Sequence, residues 1–262
     1  MSSRCSATYP RPTAASASAP QARRLGTGTW SRGPGALSAG SSDGGRGPRL
    51  SAVAAPTEEQ IWDERYASRP ALWSGEPNVN LVAEVETLPP GVALDVGCGE
   101  GGDAIWLAGK GWTVTAADIS SVALARAREH ARLSGASVAE RITWVHANLA
   151  EWEPPRSTFH LVSAQYVHLR EPLRQPVLRR LAAAVAPGGM LLVVGHDVTD
   201  LETPVPRPPD PQLYLAPGEL AALLGGESWQ VVRDAVVRRD VTGPAGETVA
   251  VGDAVFRARR VR

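Results

Sequence analysis

The stretch that decides the fold of this chain is Leu94-Asp95-Val96-Gly97-Cys98-Gly99-Glu100-Gly101-Gly102. Apolar residues lead into it after the breaker Pro89-Pro90-Gly91, which predicts a short buried strand over 92–96. Glycine at every second position then permits a tight turn and the close approach of a ligand to the backbone. The next apolar residues predict a helix over 101–110, whose first amide groups point back at the turn.

A second carboxylate, Asp118, lies 21 residues after Gly97 at the end of the next apolar run. A carboxylate in this place of a strand–turn–helix–strand unit is suited to accept two hydrogen bonds from a ribose diol. The alternative is a structural role at the start of the helix that follows, because acidic groups stabilise helix N-termini. Together with the glycine turn, Asp118 favours a nucleoside-binding unit.

Strand and helix patterns alternate from Gly91 onward, which is typical of an α/β protein with a mostly parallel sheet covered on both faces. Strands are predicted at 92–96, 112–117, 141–146, 159–164 and 190–195, and helices at 101–110, 120–134 and 171–186. The turn Pro187-Gly188-Gly189 comes before the last of these strands. We therefore expect a Rossmann-like fold.

The C-terminal third has a different pattern. Residues 201–217 are rich in proline and predict an exposed loop, and residues 216–224 predict a short helix. Strands are predicted at 229–232 and 249–258, with the turn Gly243-Pro244-Ala245-Gly246 between them. These two strands are expected to form an antiparallel pair.

The N-terminal part divides near Thr57. Residues 1–56 consist largely of small residues, proline and arginine, and we predict a disordered tail because such a segment buries too little apolar surface to order itself. Residues 57–262 form the predicted domain, with 57–90 as an N-terminal cap that contains a helix from Thr57 and another around 79–87. Trp62 and Trp73 in this cap either pack a helix against the sheet or cover a ligand, and the residue types do not distinguish these two possibilities.

Composition narrows the function classes. The chain is neutral overall, but residues 1–56 hold seven arginines and one acid, so the remainder has six more acidic than basic residues. An acidic body argues against nucleic acid as the main partner. No apolar run approaches the ~18 residues of a membrane span, and Cys5 and Cys98 suggest no disulfide framework. We expect a cytoplasmic protein, and its oligomeric state is not readable from the sequence.

Polar residues follow each predicted parallel strand at its carboxyl end. Asp95 and Asp118 follow the first two strands, Asn148 follows the third, and Gln165 and His196 follow the last two. The carboxyl ends of parallel strands lie at one edge of the sheet, which is where open α/β sheets bind ligands.

The run Leu94–Gly102, with Asp118, Asn148 and the Pro187-Gly188-Gly189 turn, resembles a class I S-adenosylmethionine-dependent methyltransferase over roughly residues 59–260. The tract 62–66 with 72–78 is similar to the thiopurine and tellurite methyltransferase branch. The resemblance implies a seven-stranded sheet whose last strands form an antiparallel pair, and S-adenosyl-L-methionine as the cofactor.

The resemblance also implies roles near the methionine and ribose of that cofactor. Asp95 would order the turn and meet the methionine amino group, and Asp118 would hold both ribose hydroxyls. The turn glycines would line these two parts of the cofactor: Gly97, Gly99 and Gly101. Gln165, with the backbone of 163–164, would lie beside the methionine.

Asn148 and Leu149 would flank the adenine. The family often has aspartate at the position of Asn148, and asparagine accepts the adenine amino group without charge assistance, which weakens this bond. The remaining candidate cofactor-binding residues are Ile119, Trp62 and Trp73.

The implied reaction is an in-line displacement of a methyl group onto a small-molecule acceptor, with a thiol or chalcogen species as one candidate class. The candidate catalytic residues are His168 and His196, as general bases for a harder acceptor, and Tyr166, as part of the acceptor site. Either histidine could instead be a neutral structural residue. No metal is expected, because His196, Asp197 and Asp200 lack a convincing ligand spacing.

Two other functions fit the glycine spacing. A nicotinamide or flavin oxidoreductase would use the same turn, but Asp95 would then lie near a pyrophosphate, which it repels. A non-catalytic module that binds S-adenosylmethionine would keep the turn and lack turnover.

Overall fold

The computed structural model describes residues 56–262, so the predicted disordered tail lies outside the described residues except for Pro56. The helices are α1 (Glu58–Ala67), α2 (Val79–Val85), α3 (Gly102–Gly109), α4 (Ser121–Leu133), α5 (Ala136–Ala139), α6 (Arg174–Ala184) and α7 (Glu219–Leu224). The strands are β1 (Val92–Val96), β2 (Thr113–Asp118), β3 (Ile142–His146), β4 (Phe159–Gln165), β5 (Val185–His196), β6 (Trp229–Thr242) and β7 (Thr248–Arg260). Within these residues no helix has the length and apolarity needed to cross a bilayer.

The seven strands form one sheet in the order β3-β2-β1-β4-β5-β7-β6. Strands β1 to β5 are parallel, whereas β7 runs antiparallel to both β5 and β6. The prediction of a Rossmann-like, mostly parallel sheet with a C-terminal antiparallel pair is therefore confirmed.

Two apolar clusters cover the two faces of the sheet. Helices α2, α3 and α4 pack on one face, and α6 and α7 pack on the other. Successive side chains of β1 point to opposite faces of the sheet. Ala93 belongs to the first cluster, whereas Leu94 and Val96 belong to the second. Strands buried on both sides need continuous apolar residues, which explains the uninterrupted runs in the sequence.

Several predicted elements differ from the structure. The first strand of the C-terminal pair, β6, continues to Thr242, well past the predicted end at Val232. Charged residues in 233–242 interrupt the alternation of apolar and polar residues by which a strand is predicted. In the structure two of them form ion pairs: Arg233 pairs with Glu84, and Arg239 pairs with Asp253. The predicted helix over 171–186 is shorter, and the short helix α5 was not predicted.

The segment Pro187-Gly188-Gly189 does not stand between two elements, as predicted, but lies within β5. The register between β4 and β5 shifts there, since Phe159 faces Val185 and Leu161 faces Met190. The extra residues form an irregular bulge, in which Gly188 has a left-handed φ of 79°.

The prediction of an exposed loop over 201–217 is wrong for part of that segment. Short 3₁₀ turns cover Val198–Glu202 and Pro211–Leu213, and Tyr214 is buried. Asp200, just before the segment, is buried and accepts hydrogen bonds from Gly252 N (2.7 Å) and Arg207 Nε (2.9 Å). The buried carboxylate of Asp200 thus connects this loop, through Arg207, to β7, through Gly252.

The cap helices are held at two places. Thr57 and Gln60 form a capping box at the start of α1. Asp63 on α1 accepts a hydrogen bond from Ser120 Oγ at 2.6 Å, which fixes α1 to the N-terminus of α4. On α2, the buried Glu84 pairs with Arg257 on β7 at 2.9 Å.

Asp253 on β7 is fully buried and joins three further segments. Its Oδ2 atom accepts from Arg239 Nε at 2.6 Å and from Asn80 Nδ2 at 2.9 Å, and its Oδ1 atom accepts from Tyr166 Oη at 2.9 Å. The carboxylate therefore ties α2, β6 and the residue after β4 to the same point of β7.

We predict that Asp253→Ala lowers the free energy of unfolding by about 2–4 kcal/mol, because it removes a buried acceptor from a guanidinium and two polar side chains. Asp253→Asn, which keeps the shape, should cause a smaller loss. Urea denaturation measures both. The control Asp240→Asn changes an exposed carboxylate on the same hairpin and should stay within about 0.5 kcal/mol of the unchanged protein. Equal losses in Asp253→Ala and the control would contradict the assignment.

Candidate functional site

The turn after β1 requires its glycines. Gly97, Gly99 and Gly101 have left-handed φ angles of 68°, 53° and 90°. A Cβ atom on Gly97 would come within 2.9 Å of Val167, and one on Gly99 within 2.8 Å of the Tyr66 hydroxyl. Both the backbone conformation and the lack of space exclude a side chain at these positions. Hydrogen bonds from Gly97 N to Ala117 O (2.8 Å) and from Gly101 N to Cys98 O (2.9 Å) hold the turn in this shape.

Asp118, at the end of β2, bridges this turn and α4. Its Oδ2 atom accepts from Gly99 N and its Oδ1 atom from Ser120 N, both at 2.8 Å. Burial raises the pKa of Asp118 although these two hydrogen bonds lower it. The N-cap of α4 is Ser120, whose hydroxyl accepts from Ala123 N. The carboxylate of Asp118 retains free lone pairs, which fits the ribose diol of a nucleoside cofactor.

Asp95, at the end of β1, is 1% exposed, and its Oδ2 atom has no hydrogen-bond partner among the described residues. Burial raises the pKa of Asp95 well above its usual range, and the carboxylates of Asp103 and Asp118 raise it further. A buried carboxylate oxygen without a donor is costly unless a ligand supplies one. The methionine ammonium of S-adenosylmethionine fits this requirement.

The other predicted cofactor residues lie around the same edge. Gln165 donates from Nε2 to Ser163 Oγ at 2.8 Å, and its Oε1 atom is buried without a partner in the described part of the chain. Asn148 is exposed, and its side-chain oxygen accepts from Ala150 N at 3.0 Å, so an adenine contact there would share this oxygen. Leu149 and Ile119 are half-buried.

Glu100 fastens the cap to the glycine turn, and sequence reasoning did not single it out. Its Oε2 atom accepts from Leu72 N at 3.0 Å and Trp73 N at 3.1 Å, and its Oε1 atom accepts from Arg126 at 2.8 Å. Burial tends to raise the pKa of Glu100, but the hydrogen bonds led by Arg126 outweigh it and the pKa is lowered. Its place between two glycines of the turn was the signal that could have identified it.

Tyr66 and Trp73 lie over the glycine turn. Trp73 Nε1 donates to Tyr66 Oη at 3.1 Å, and this hydroxyl faces Gly99. The guanidinium of Arg65 lies 4.9 Å from the Trp62 ring and 5.8 Å from the Trp73 ring. Tyr66, which was not predicted as a site residue, thus covers the turn together with Trp73, and the two tryptophans flank Arg65.

The three predicted catalytic residues come together beyond the ends of β4 and β5. The His196 ring stacks on Tyr166 with a centroid distance of 4.4 Å and lies 5.7 Å from His168. Tyr214, from the proline-rich loop, is the fourth member of this group, and its ring centroid lies 6.3 Å from that of His196. Tyr166 has a left-handed φ of 52°, which is unusual for a bulky residue and is stabilised by its bond to Asp253.

The surroundings keep both histidines neutral. Burial lowers the pKa of His196 to about 3, with further contributions from Arg207 and His168. Burial also lowers the pKa of His168, and Arg65 lowers it further. Burial raises the pKa of Tyr166 to about 12, assisted by Asp253. None of the three is a good proton acceptor near neutral pH.

In residues 56–262, no group of three or more histidine, cysteine, aspartate or glutamate side chains is arranged to hold a metal ion. Asp197 accepts from Thr199 N at 3.0 Å, and Asp200 is occupied by Arg207 and Gly252.

Comparisons with known proteins agree with this geometry. A family described as "Methyltransferase domain" matches residues 93–189. Methyltransferase GfsG of Streptomyces halstedii is 31% identical over 150 residues, which cover 55% of this chain and 53% of that protein. Thiocyanate methyltransferase 1 of Arabidopsis thaliana is 26% identical over 147 residues, which cover 55% of this chain and 64% of that protein. The chain thus spans about half to two thirds of these relatives.

A solved structure from work on the conversion of a disulfide bond into a thioacetal group during echinomycin biosynthesis has a similar fold. Its TM-score is 0.59 at 25% identity, and the match covers 77% of this chain and 91% of that one. With the sheet order, the glycine turn and the two strand-end carboxylates, these likenesses lead to one assignment. Residues 93–189 match a methyltransferase domain, and the fold around them is that of the class I S-adenosylmethionine-dependent methyltransferases.

Proposed function

We propose that this protein transfers the methyl group of S-adenosylmethionine to a small-molecule acceptor that reacts as an anion, such as a thiolate or a chalcogen anion. The observation that carries the proposal is the pair of buried carboxylates, Asp95 and Asp118, beside the glycine turn. Asp118 suits a ribose, whereas Asp95 suits an ammonium and would repel a pyrophosphate. The pair therefore favours this cofactor over a dinucleotide.

The cofactor supplies a methyl group already activated on a positively charged sulfur, so the work of the chain is to bind and align. Asp118 and the glycine turn hold the nucleoside, and Asp95 and Gln165 orient the methionine end. Tyr66 and Trp73 exclude water above Gly99. Alignment for in-line displacement accounts for a large part of the rate in such a reaction.

The preference for an anionic acceptor rests on Arg65. This arginine has no carboxylate partner among the described residues, it is held between two tryptophan rings, and its charge reaches His168. A positive charge at the acceptor side attracts an anion, and histidines whose pKa is lowered are weaker bases for an acceptor that must first lose a proton. The Arabidopsis relative is named for thiocyanate, a small sulfur-containing anion, which supports the same class.

The test is release of S-adenosylhomocysteine from S-adenosylmethionine across a set of thiols, selenite, tellurite, phenols and amines. We expect turnover with the thiols or chalcogen anions and little with the phenols and amines. Turnover with amines alone would contradict the acceptor class. Binding of NADH or NADPH in place of S-adenosylhomocysteine would favour the oxidoreductase, and binding without turnover on any acceptor would favour the non-catalytic module.

Asp118→Asn should raise the Kd for S-adenosylhomocysteine by about 10- to 100-fold, because charge-assisted bonds to the ribose become neutral ones. Isothermal titration calorimetry measures this change. Asp240→Asn removes an equal charge from an exposed position on β6 and should leave the Kd unaltered. An unchanged Kd in Asp118→Asn would remove the ribose assignment.

Arg65→Met should raise the KM for an anionic acceptor by about tenfold while the Kd for S-adenosylhomocysteine stays within about twofold, because the charge faces the acceptor side. Arg65→Lys keeps a positive charge and should lose less. Steady-state kinetics and calorimetry together measure the two effects. A rise in the cofactor Kd with an unchanged acceptor KM would instead assign Arg65 to the cofactor.

The pH profile of kcat/KM should follow the ionisation of the acceptor alone. The pKa of His196 is lowered to about 3 and that of His168 is lowered from its usual value, so both are mostly neutral above about pH 7 and neither adds an acid limb from there to about pH 9. Profiles for acceptors of different acidity test this expectation. An acid limb that stays fixed when the acceptor changes and disappears in His168→Gln would identify a general base.

A further inference from the structure

Two histidines at the acceptor side have ring nitrogens without a hydrogen-bond partner. His168 Nε2 and His196 Nδ1 are both buried, and neither has a partner among the described residues. The two rings are stacked, with their centroids 5.7 Å apart. A buried polar atom without a partner is unfavourable unless water or a ligand supplies one. The pair therefore indicates a place for a polar group beyond the ends of β4 and β5.

Arg207, from the proline-rich loop, has a third such atom. Its Nη2 atom is buried without a partner in the described part of the chain, although its Nε atom donates to Asp200 at 2.9 Å. Asp200 also accepts from Gly252 N at 2.7 Å. The residue after Gly252, Asp253, lies opposite His196 in the register of β5 and β7. Arg207 is thus held close to the strand position of His196.

The same loop supplies a second, independent constraint on Arg207. The residue after it, Pro208, accepts a hydrogen bond from Tyr214 Oη at 2.8 Å, and the Tyr214 ring lies 6.3 Å from the His196 ring. The charge of Arg207 accordingly reaches the His196 imidazole. The three unpartnered atoms therefore belong to one group of side chains, which we call the donor cluster: His168, His196 and Arg207.

The donor cluster can donate three hydrogen bonds to one ligand. A guanidinium N–H only donates, and a neutral imidazole donates from the nitrogen that carries its proton. A carbonyl oxygen has two lone pairs, whereas the two oxygens of a carboxylate together have about four. A carboxylate also forms a charge-assisted bond with the guanidinium. The number of donors thus favours a carboxylate over a neutral carbonyl group.

The charges around the donor cluster favour an anion as well. Asp200 is paired with Arg207 at 2.9 Å. Asp253, which faces His196 from β7, is paired with Arg239 at 2.6 Å. The guanidinium of Arg65 also reaches the cluster with its charge, and it has no carboxylate partner among the described residues. One positive charge therefore remains uncompensated in this part of the molecule, and it attracts a monoanion.

We propose that the donor cluster binds a carboxylate of the methyl acceptor, so that the acceptor is a small thiol that also carries a carboxylate group. This inference rests on the function proposed above and narrows its acceptor class. The acceptor thiol loses its proton to solvent, and its sulfur forms a bond to the methyl carbon. The carbon–sulfur bond of the sulfonium breaks, with the electron pair left on the cofactor sulfur. The carboxylate takes part in no bond change.

The surface beside the cluster suits the carbon chain of such an acceptor. His168 and Tyr214 also line a cavity whose other walls are mostly apolar, among them the side chain of Leu178. The arginine of that wall, Arg174, is already paired with Glu219 at 3.0 Å. Apolar walls with a few convergent polar groups are typical of sites for small molecules.

The test compares two thiols of the same length, 3-mercaptopropionate and 3-mercaptopropionamide, by release of S-adenosylhomocysteine from the full chain. Rates are referred to the concentration of thiolate, since the two thiols ionise differently. We expect kcat/KM to be at least about tenfold higher for the acid, because the amide offers the guanidinium no charge-assisted bond.

Three variants each remove one donor and keep the shape or charge of the side chain. His168→Phe and His196→Phe retain a ring, and Arg207→Lys retains a positive charge beside Asp200. Each should lower kcat/KM for the acid by about fivefold or more and leave that for the amide within about twofold. A purely structural defect would lower both values alike. The matched control is Arg128→Lys, at an exposed position on α4, and it should keep the full preference for the acid.

The outcomes separate the two proposals. Equal kcat/KM for the acid and the amide, or a preference for the acid that all three variants retain, would overturn the inference alone. Turnover of other thiols or chalcogen anions without turnover of either of these two would do the same. Failure to bind S-adenosylhomocysteine, or binding without turnover of any acceptor, would overturn the proposed function and this inference with it.

Discussion

The hydrogen bond from Gly99 N to Asp118 Oδ2 is the interaction on which the candidate site depends. It joins the turn after β1 to the end of the neighbouring strand β2, and it holds Gly99 in a backbone conformation that other residues rarely adopt. The same carboxylate accepts a hydrogen bond from Ser120 N and so determines where α4 begins. One side chain thus positions the glycine turn, the helix N-terminus and its own free lone pairs at the same edge of the sheet.

Other buried carboxylates act in a comparable way over longer distances. Glu100 accepts hydrogen bonds from the backbone of the cap. Asp200 accepts them from β7 and the proline-rich loop, and Asp253 accepts them from α2, β6 and Tyr166. Burying a carboxylate is unfavourable unless donors replace its water, and each of these three has such donors. Asp95 is buried to the same degree but has one oxygen without a donor among the described residues, and this difference makes it a candidate for ligand binding, whereas the other three stabilise the fold.

The parts of the fold that follow local rules could be predicted from the sequence. Apolar runs identified the five parallel strands, and the glycine spacing with Asp118 identified the turn and its partner, because these signals lie within one strand–helix–strand unit. Glu100, Tyr66 and Asp103 were missed because their contacts depend on tertiary structure: Leu72 lies 28 residues from Glu100, and Asn78 lies 25 from Asp103. The length of β6 was underestimated for a related reason, since its charged residues are satisfied by partners on α2 and β7.

The charges in the site are divided between its two ends. The end at β1 and β2 contains Asp95, Asp103 and Asp118 without a balancing cation among the described residues, whereas the end beyond β4 and β5 is faced by the uncompensated guanidinium of Arg65. On the function proposed above, a cofactor with an ammonium and a sulfonium would be attracted to the first end, and an anionic acceptor to the second. Fixed charges of the protein would then bring reactants of opposite charge together, and this pairing would need no proton transfer by the histidines.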